Sequence, residues 1–280
     1  MSTDLATSPR LQAPLSGLAA WVAHFRDAPI PVLASTATSL GELAANEDAV
    51  DAHLLAEAIG ADPMMTLRLL AHVGTHSRRA TDVETVIGAL VLMGVGPFFR
   101  EFAELPTIEG TLADEPAALD GARAVLARAH RAARFALGFA AHRLDPDAAV
   151  IHEAALLHDF AELLLWCHAP GLALQIAQRQ KADPSLRSVS AQRAVLGITL
   201  AELQHQLMKA WRLPELLIRL DSDQHAEQSQ VRNVLLAVRV ARHTAQGWDN
   251  AALPDDVADI GALLQLGPAP TLKLLHEIDS

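Results

Sequence analysis

Two adjacent polar residues, His158 and Asp159, interrupt a stretch otherwise composed for burial, Val150 to Trp166 (VIHEAALLHDFAELLLW). An imidazole and a carboxylate can ligate a divalent metal. A fully buried Asp is rare without a partner, and an unpaired buried carboxylate is costly. The pair therefore calls for a metal, a suitable backbone environment or a cation from elsewhere in the chain. The apolar content predicts one buried helix over 150–166. Residues adjacent in sequence point in different directions around a helix, so both side chains face one ion only near a helix end or distortion.

The other reactive residue types carry weaker signals. His72 and His76 have the four-residue spacing of a helical metal pair, but Gly74 lies between them and no carboxylate flanks them. His142, His152, His168 and His205 read as surface or core histidines. Cys167, the only cysteine, ends an apolar run and reads as an inert core thiol. Ser188 and Ser190 have no adjacent base. No glycine-rich phosphate loop is present.

Composition narrows the class. The chain has 280 residues, 51% of them hydrophobic, with no Tyr. Its abundant Ala and Leu, with few strand-favouring aromatics, predict an all-α fold without significant sheet. Net charge is 22 − 33 = −11, and no basic block occurs, which argues against binding nucleic acid through phosphates. It argues equally against a basic membrane-surface protein. One cysteine permits no intramolecular disulfide and no cysteine-based zinc site. The N-terminus lacks a secretion signal, and no apolar run is long enough to span a membrane. The expected location is the cytoplasm.

Helix punctuation then divides the chain. Residues 1–13 are expected to be flexible. Helical patterns follow at about 15–26, 33–45 and 51–60. Asp62-Pro63 is an N-cap followed by Pro at the first helical position; it opens MMTLRLLAHVG, expected to end at Gly74. Thr81 and Glu84 have capping-box spacing before VETVIGALVLMG, with Gly94 and Gly96 as its stop. PFFREF, with Phe98, Phe99 and Phe102, reads as core or as part of an exposed apolar patch. The N-terminal subdomain is thus 14–104. Residues 105–116 combine Pro, Gly, Asp and Thr without periodicity and read as a linker. A second helical subdomain, 117–280, opens with a helix to about Arg143 that carries His130. Asp145-Pro146 repeats the cap signal ahead of the dyad helix. Further helices are expected at 170–180, 188–196, after the Thr199/Glu202 capping box, after Leu213-Pro214, at 231–246, and as two pieces within 253–278.

Several of these pieces, in this order, resemble the HDOD domain, a helical relative of the HD phosphohydrolases found in bacterial signalling proteins. LRLLAHVG and VETVIGALVLMGV resemble its first half. ARAHRAARFALGFAAHRL resembles the helix that carries its first His. EAALLHDFAELLL resembles its His-Asp helix, and LGITLAELQHQLMKAWRLPELLIRL its stretch ending in Trp-x-Leu-Pro, here Trp211, Leu213 and Pro214. The likeness covers roughly 28–245 and implies a multi-helix HD-domain-like bundle.

The resemblance also implies a site. His130, His158 and Asp159 match three positions that hold a divalent metal in the catalytic relatives. Other positions depart. The final metal-binding Asp falls on Arg242, a His falls on Leu200, and a His pair falls on Gln224 and His225. A Gly-Lys after the dyad falls on Ala161 and Glu162. A guanidinium cannot ligate a metal and repels one, and Glu opposes an anionic phosphate. An ion pair between Arg242 and Asp159, in place of the metal, is the expected replacement. These substitutions imply a non-catalytic regulatory module of bacterial signal transduction with a decayed metal site and no required cofactor, a divalent metal remaining compatible. The expected partner is a signalling protein or small ligand, with no nucleic acid and no membrane; a homo-oligomer is compatible. The alternative is a metal-dependent phosphohydrolase acting on a nucleotide or cyclic nucleotide. No fused receiver, kinase or cyclase domain is evident, so the output is expected to pass to another molecule.

Overall fold

Caps and prolines, more than the apolar pattern, set where the helices begin. The computed structural model describes residues 10–77, 83–221 and 227–280. Its helices are α1 (Leu18–Asp27), α2 (Ala34–Ala44), α3 (Ala52–Ile59), α4 (Pro63–His76), α5 (Val86–Met93), α6 (Val95–Glu101), α7 (Ile108–Thr111) and α8 (Pro116–His142). There follow α9 (Ala148–Leu157), α10 (Phe160–His168), α11 (Pro170–Ala182), α12 (Ser188–Leu196), α13 (Leu200–Ala210), α14 (Glu215–Leu220), α15 (Ser229–His243), α16 (Leu253–Leu264) and α17 (Pro268–Asp279). The fold is all-α, as composition predicts. The only extended pairing among the described residues is an isolated parallel bridge between Val32 and Thr107.

The capping signals are specific. The Asp62 carboxylate accepts from the backbone N–H groups of Met64 and Met65 at the start of α4, and from that of Leu33 at 2.7 Å. It is 1% exposed, so one side chain both starts a helix and anchors the segment before α2. Thr199 and Glu202 form the reciprocal box that opens α13. Other expectations need correction. Thr81 lies outside the described residues, and the cap of α5 is Thr85, whose Oγ1 accepts from Gly88. Gly94, at φ 82°, ends α5, but Gly96 lies inside α6. Asp145 accepts from the Asp147 N–H, and α9 begins only at Ala148. The stretch 105–116 contains α7 and is tied to the segment before α2, Ile108 N–H donating to Val32 C=O and Val32 N–H to Pro106 C=O.

Contacts divide the chain into two compact units that do not follow the breaks at 104 and 117. One unit comprises the chain up to Val125 with Phe160–Leu213; the other comprises Leu126–Asp159 with Pro214–Ser280. In the first unit, α10 packs against α4, α11 and α13. The Trp166 ring lies so close to Gly121 in α8 that a Cβ there would fall 2.5 Å from it. Phe98, Phe99 and Phe102 are buried, so PFFREF is core. Gly74 is not a helix stop: α4 continues to His76, and a Cβ at Gly74 would sit 2.3 Å from the Trp211 carbonyl oxygen. The glycine permits that backbone approach.

In the second unit, α9 packs against α14 and α15, α15 against α16, and α16 against α17. Ala129, Ala133 and Leu156 form an apolar cluster between α8 and α9. The C-terminal helix is clasped to α8 by Arg131, whose Nε and Nη2 reach the two carboxylate oxygens of Asp279 at 2.8 and 2.7 Å.

Candidate functional site

The run 150–166 is two helices, not one. α9 ends at Leu157 and α10 begins at Phe160, with His158 and Asp159 in the break. His158 keeps right-handed helical angles (φ −55°, ψ −27°), and its N–H reaches back to Ala155 C=O at 3.5 Å. The interruption lets neighbouring side chains meet: His158 Nδ1 donates to Asp159 Oδ1 at 3.2 Å.

Asp159 is 10% exposed, and cations from two further helices reach it. From α15, Arg242 Nη2 donates to Oδ1 at 2.5 Å. From α8, Arg128 donates to Oδ2 through Nε at 3.4 Å and Nη2 at 3.2 Å. Burial alone would raise the Asp159 carboxyl. The charge of Arg242, the hydrogen bond and charge of His158 and the charge of Arg128 outweigh it and hold the carboxyl well below the ordinary range. Burial likewise disfavours protonated His158, but Asp159, with help from Asp221, raises its pKa above the usual imidazole value.

The second unit therefore brings together His158, Asp159 and Arg242 among the residues singled out in the sequence. His130 lies on α8 in the same unit and acts electrostatically on His152 of α9, whose pKa is lowered by burial first and by His130 second. Leu200 and Glu162 belong to the other unit. Leu200 opens α13 and donates its N–H to Gln192. Gln224 and His225 lie outside the described residues.

Sequence reasoning missed Arg128 and gave no weight to His152 or Asp221. Arg128 was legible only as one of several arginines on α8; its position two residues before His130 is the one local hint.

The metal implied by the resemblance does not fit the described residues. Both Asp159 oxygens face guanidinium groups, which repel a cation. No group of three or more His, Cys, Asp or Glu side chains among the described residues could hold a metal ion. The His72/His76 pair does not provide one. Its rings stack at 4.4 Å, His72 Nδ1 pairs with Glu101 at 3.2 Å, and His76 Nδ1 donates to the His72 carbonyl at 3.0 Å. His168 is buried and bonds the Pro29 carbonyl at 2.8 Å. The Cys167 thiol, also buried, is pushed up to about 12 by burial and is unreactive.

Among the described residues no single helix is long and apolar enough to cross a membrane. Residues 30–227 match the family model of the HDOD domain. No curated protein matches the chain. Solved structures with a similar fold include the MmoQ response regulator from Methylococcus capsulatus str. Bath, 23% identical at a TM-score of 0.65, with 88% of this chain and 98% of that one covered. A virulence factor from Campylobacter jejuni subsp. jejuni is 17% identical at a TM-score of 0.63, with 91% and 96% covered. At these identities the likeness is one of fold.

Proposed function

This chain belongs to the HDOD family, and from that premise we propose that it is a cytoplasmic regulatory module of bacterial signal transduction that works by binding rather than by turnover. One observation carries the non-catalytic reading: the carboxylate expected to ligate a metal is held by Arg242 and Arg128 instead. A divalent ion at that position would sit against two fixed positive charges, and no water would be activated there for attack on a phosphoester. The signalling context rests on the family and on the fold shared with a response regulator. Its partner is a signalling protein or a small ligand.

The test is hydrolysis of bis-p-nitrophenyl phosphate by the full chain with added Mn2+. The expected result is no turnover above background. Turnover that His158→Ala abolishes would overturn the proposal and establish a metal-dependent phosphohydrolase.

A further inference from the structure

Two histidines outside the dyad meet within the first compact unit, where α1 lies against the end of α10. The rings of His24 and His168 stand edge to face at 6.3 Å, and Phe25 packs against both, at 5.3 and 5.8 Å. His168 is buried; its Nε2 donates to the Pro29 carbonyl at 2.8 Å, and its own carbonyl accepts from the Leu11 N–H. The His24 ring is part-exposed, but its Nε2 is buried and has no hydrogen-bond partner among the described residues. A neutral ring can keep its proton on Nδ1 and leave Nε2 bare, whereas a protonated ring must place an N–H there with no acceptor. Burial lowers the pKa of His24; burial and the charge of His24 lower that of His168 against the Pro29 hydrogen bond. The charged groups of the surrounding helices have other engagements. Arg26 of α1 pairs with Asp27, and Arg68 of α4 donates to the Ile30 carbonyl. On α13, which packs against both α1 and α10, Glu202 is taken up by Thr199 and Arg193, and Lys209 acts on His205. Glu109 of α7 accepts from the Ala34 N–H and acts on Cys167, Arg179 and Lys181 lie in the last turn of α11, and Glu162 lies in the first turn of α10. None of these carboxylates raises the pKa of either imidazole.

We propose that this contact is an acid-sensitive seam: with both imidazoles neutral α1 is closed on α10, and their protonation parts the two helices and uncovers the face of α1 that carries Trp21 and Phe25. Both of those side chains are 0% exposed in the closed form. Trp21 Nε1 donates to the Leu196 carbonyl and Trp211 Nε1 to the Arg26 carbonyl, each at 3.2 Å, so the open form is minor at neutral pH and acid acts on its population. Two imidazolium groups in contact repel each other, and burial desolvates each charge. Each imidazole titrates lower in the closed form than in the open form, where the ordinary value is about 6.5. Closure is therefore complete above about pH 6.5 and is lost as pH falls toward the lower closed-form values. At about pH 5.5 each histidine favours opening by up to about tenfold.

The experiment is amide hydrogen exchange of the full chain at about pH 7.5 and about pH 5.5, with rates corrected for the intrinsic effect of pH on exchange. Wild type, His24→Gln, His168→Gln and the double variant are compared; Gln at 168 keeps an N–H donor for the Pro29 carbonyl. The expected result is that opening of residues 18–28 in wild type rises at least about tenfold at the lower pH. The rise is smaller in each single variant and absent from the double variant. Equal protection of wild type at the two pH values overturns the seam. A rise that persists in the double variant overturns it too, because another group is then titrating. An equal rise throughout α3, α4 and α13 shows general loosening and overturns a device local to α1. Should the double variant fail to fold, His24→Gln decides alone: it must reduce the rise by at least about threefold, and an unchanged rise overturns the proposal.

Discussion

At Asp159 three side chains converge on two oxygens, and their unequal exposure determines what each contributes. Buried ion pairs cost roughly 3–5 kcal/mol when one partner is removed, and exposed pairs contribute about 0.2–1 kcal/mol. Arg242 is half exposed, and Arg128 and His158 remain after its removal. Arg242→Ala is therefore expected to destabilise by about 1–2 kcal/mol, a fall in melting temperature of roughly 2–8 °C. Asp159→Ala removes the carboxylate that Arg128, Arg242 and His158 share and is expected to cost more than Arg242→Ala. Thermal melting followed by circular dichroism checks both, and a wild-type melting temperature in Arg242→Ala would contradict this account of the pair. The need of Asp159 for a cation was legible in the sequence, because a carboxylate in so apolar a run must be compensated. Arg242 emerged from the family resemblance. Arg128 did not, since its contact spans 31 residues and no local periodicity reports a pairing made through space.

Helix starts were readable where a side chain closes the first turn, as at Asp62 and Thr199, because the chemistry is local. The break at 158–159 was not readable. His158 retains helical angles, so apolar periodicity runs through the interruption almost unchanged. Gly74 was misread for a related reason: a glycine near a helix end resembles a stop, and only the fold shows the Trp211 carbonyl against it. Gly74→Ala places a methyl on a backbone oxygen that cannot rotate away, and a cost of about 1–3 kcal/mol follows. Denaturant unfolding measures it; a stability equal to wild type would mean that α4 does not approach the end of α13 so closely. The α17 clasp makes a pH-dependent prediction. The hydrogen bond and charge of Arg131, with Arg134, hold the Asp279 carboxyl below its ordinary pKa. A depressed folded pKa gives stability that is complete above the unfolded pKa, about 3.9, and is lost as pH falls through the lower folded value. Protection of α17 amides from hydrogen exchange should therefore decline below about pH 4, and Asp279→Asn should show the same weakened protection at neutral pH.

Over the whole chain, composition and punctuation revealed an all-α protein and most of its helices. They did not reveal that α8 contributes to both compact units, or that one unit is completed by Phe160–Leu213 and the other by Pro214–Ser280. Such interleaving arises from long-range packing, which leaves no composition shift at Val125 or Asp159. The family match ends at residue 227, so the guanidinium closest to Asp159 comes from beyond the matched region. The His-Asp pair lies inside the match, and Arg242, which faces it, lies outside. Protein side chains compensate Asp159 among the described residues. The most direct test of this compensation is elemental analysis of the protein purified without chelator, beside Asp159→Asn. No stoichiometric transition metal is expected in either form. A stoichiometric metal in the wild type that disappears in Asp159→Asn would contradict it.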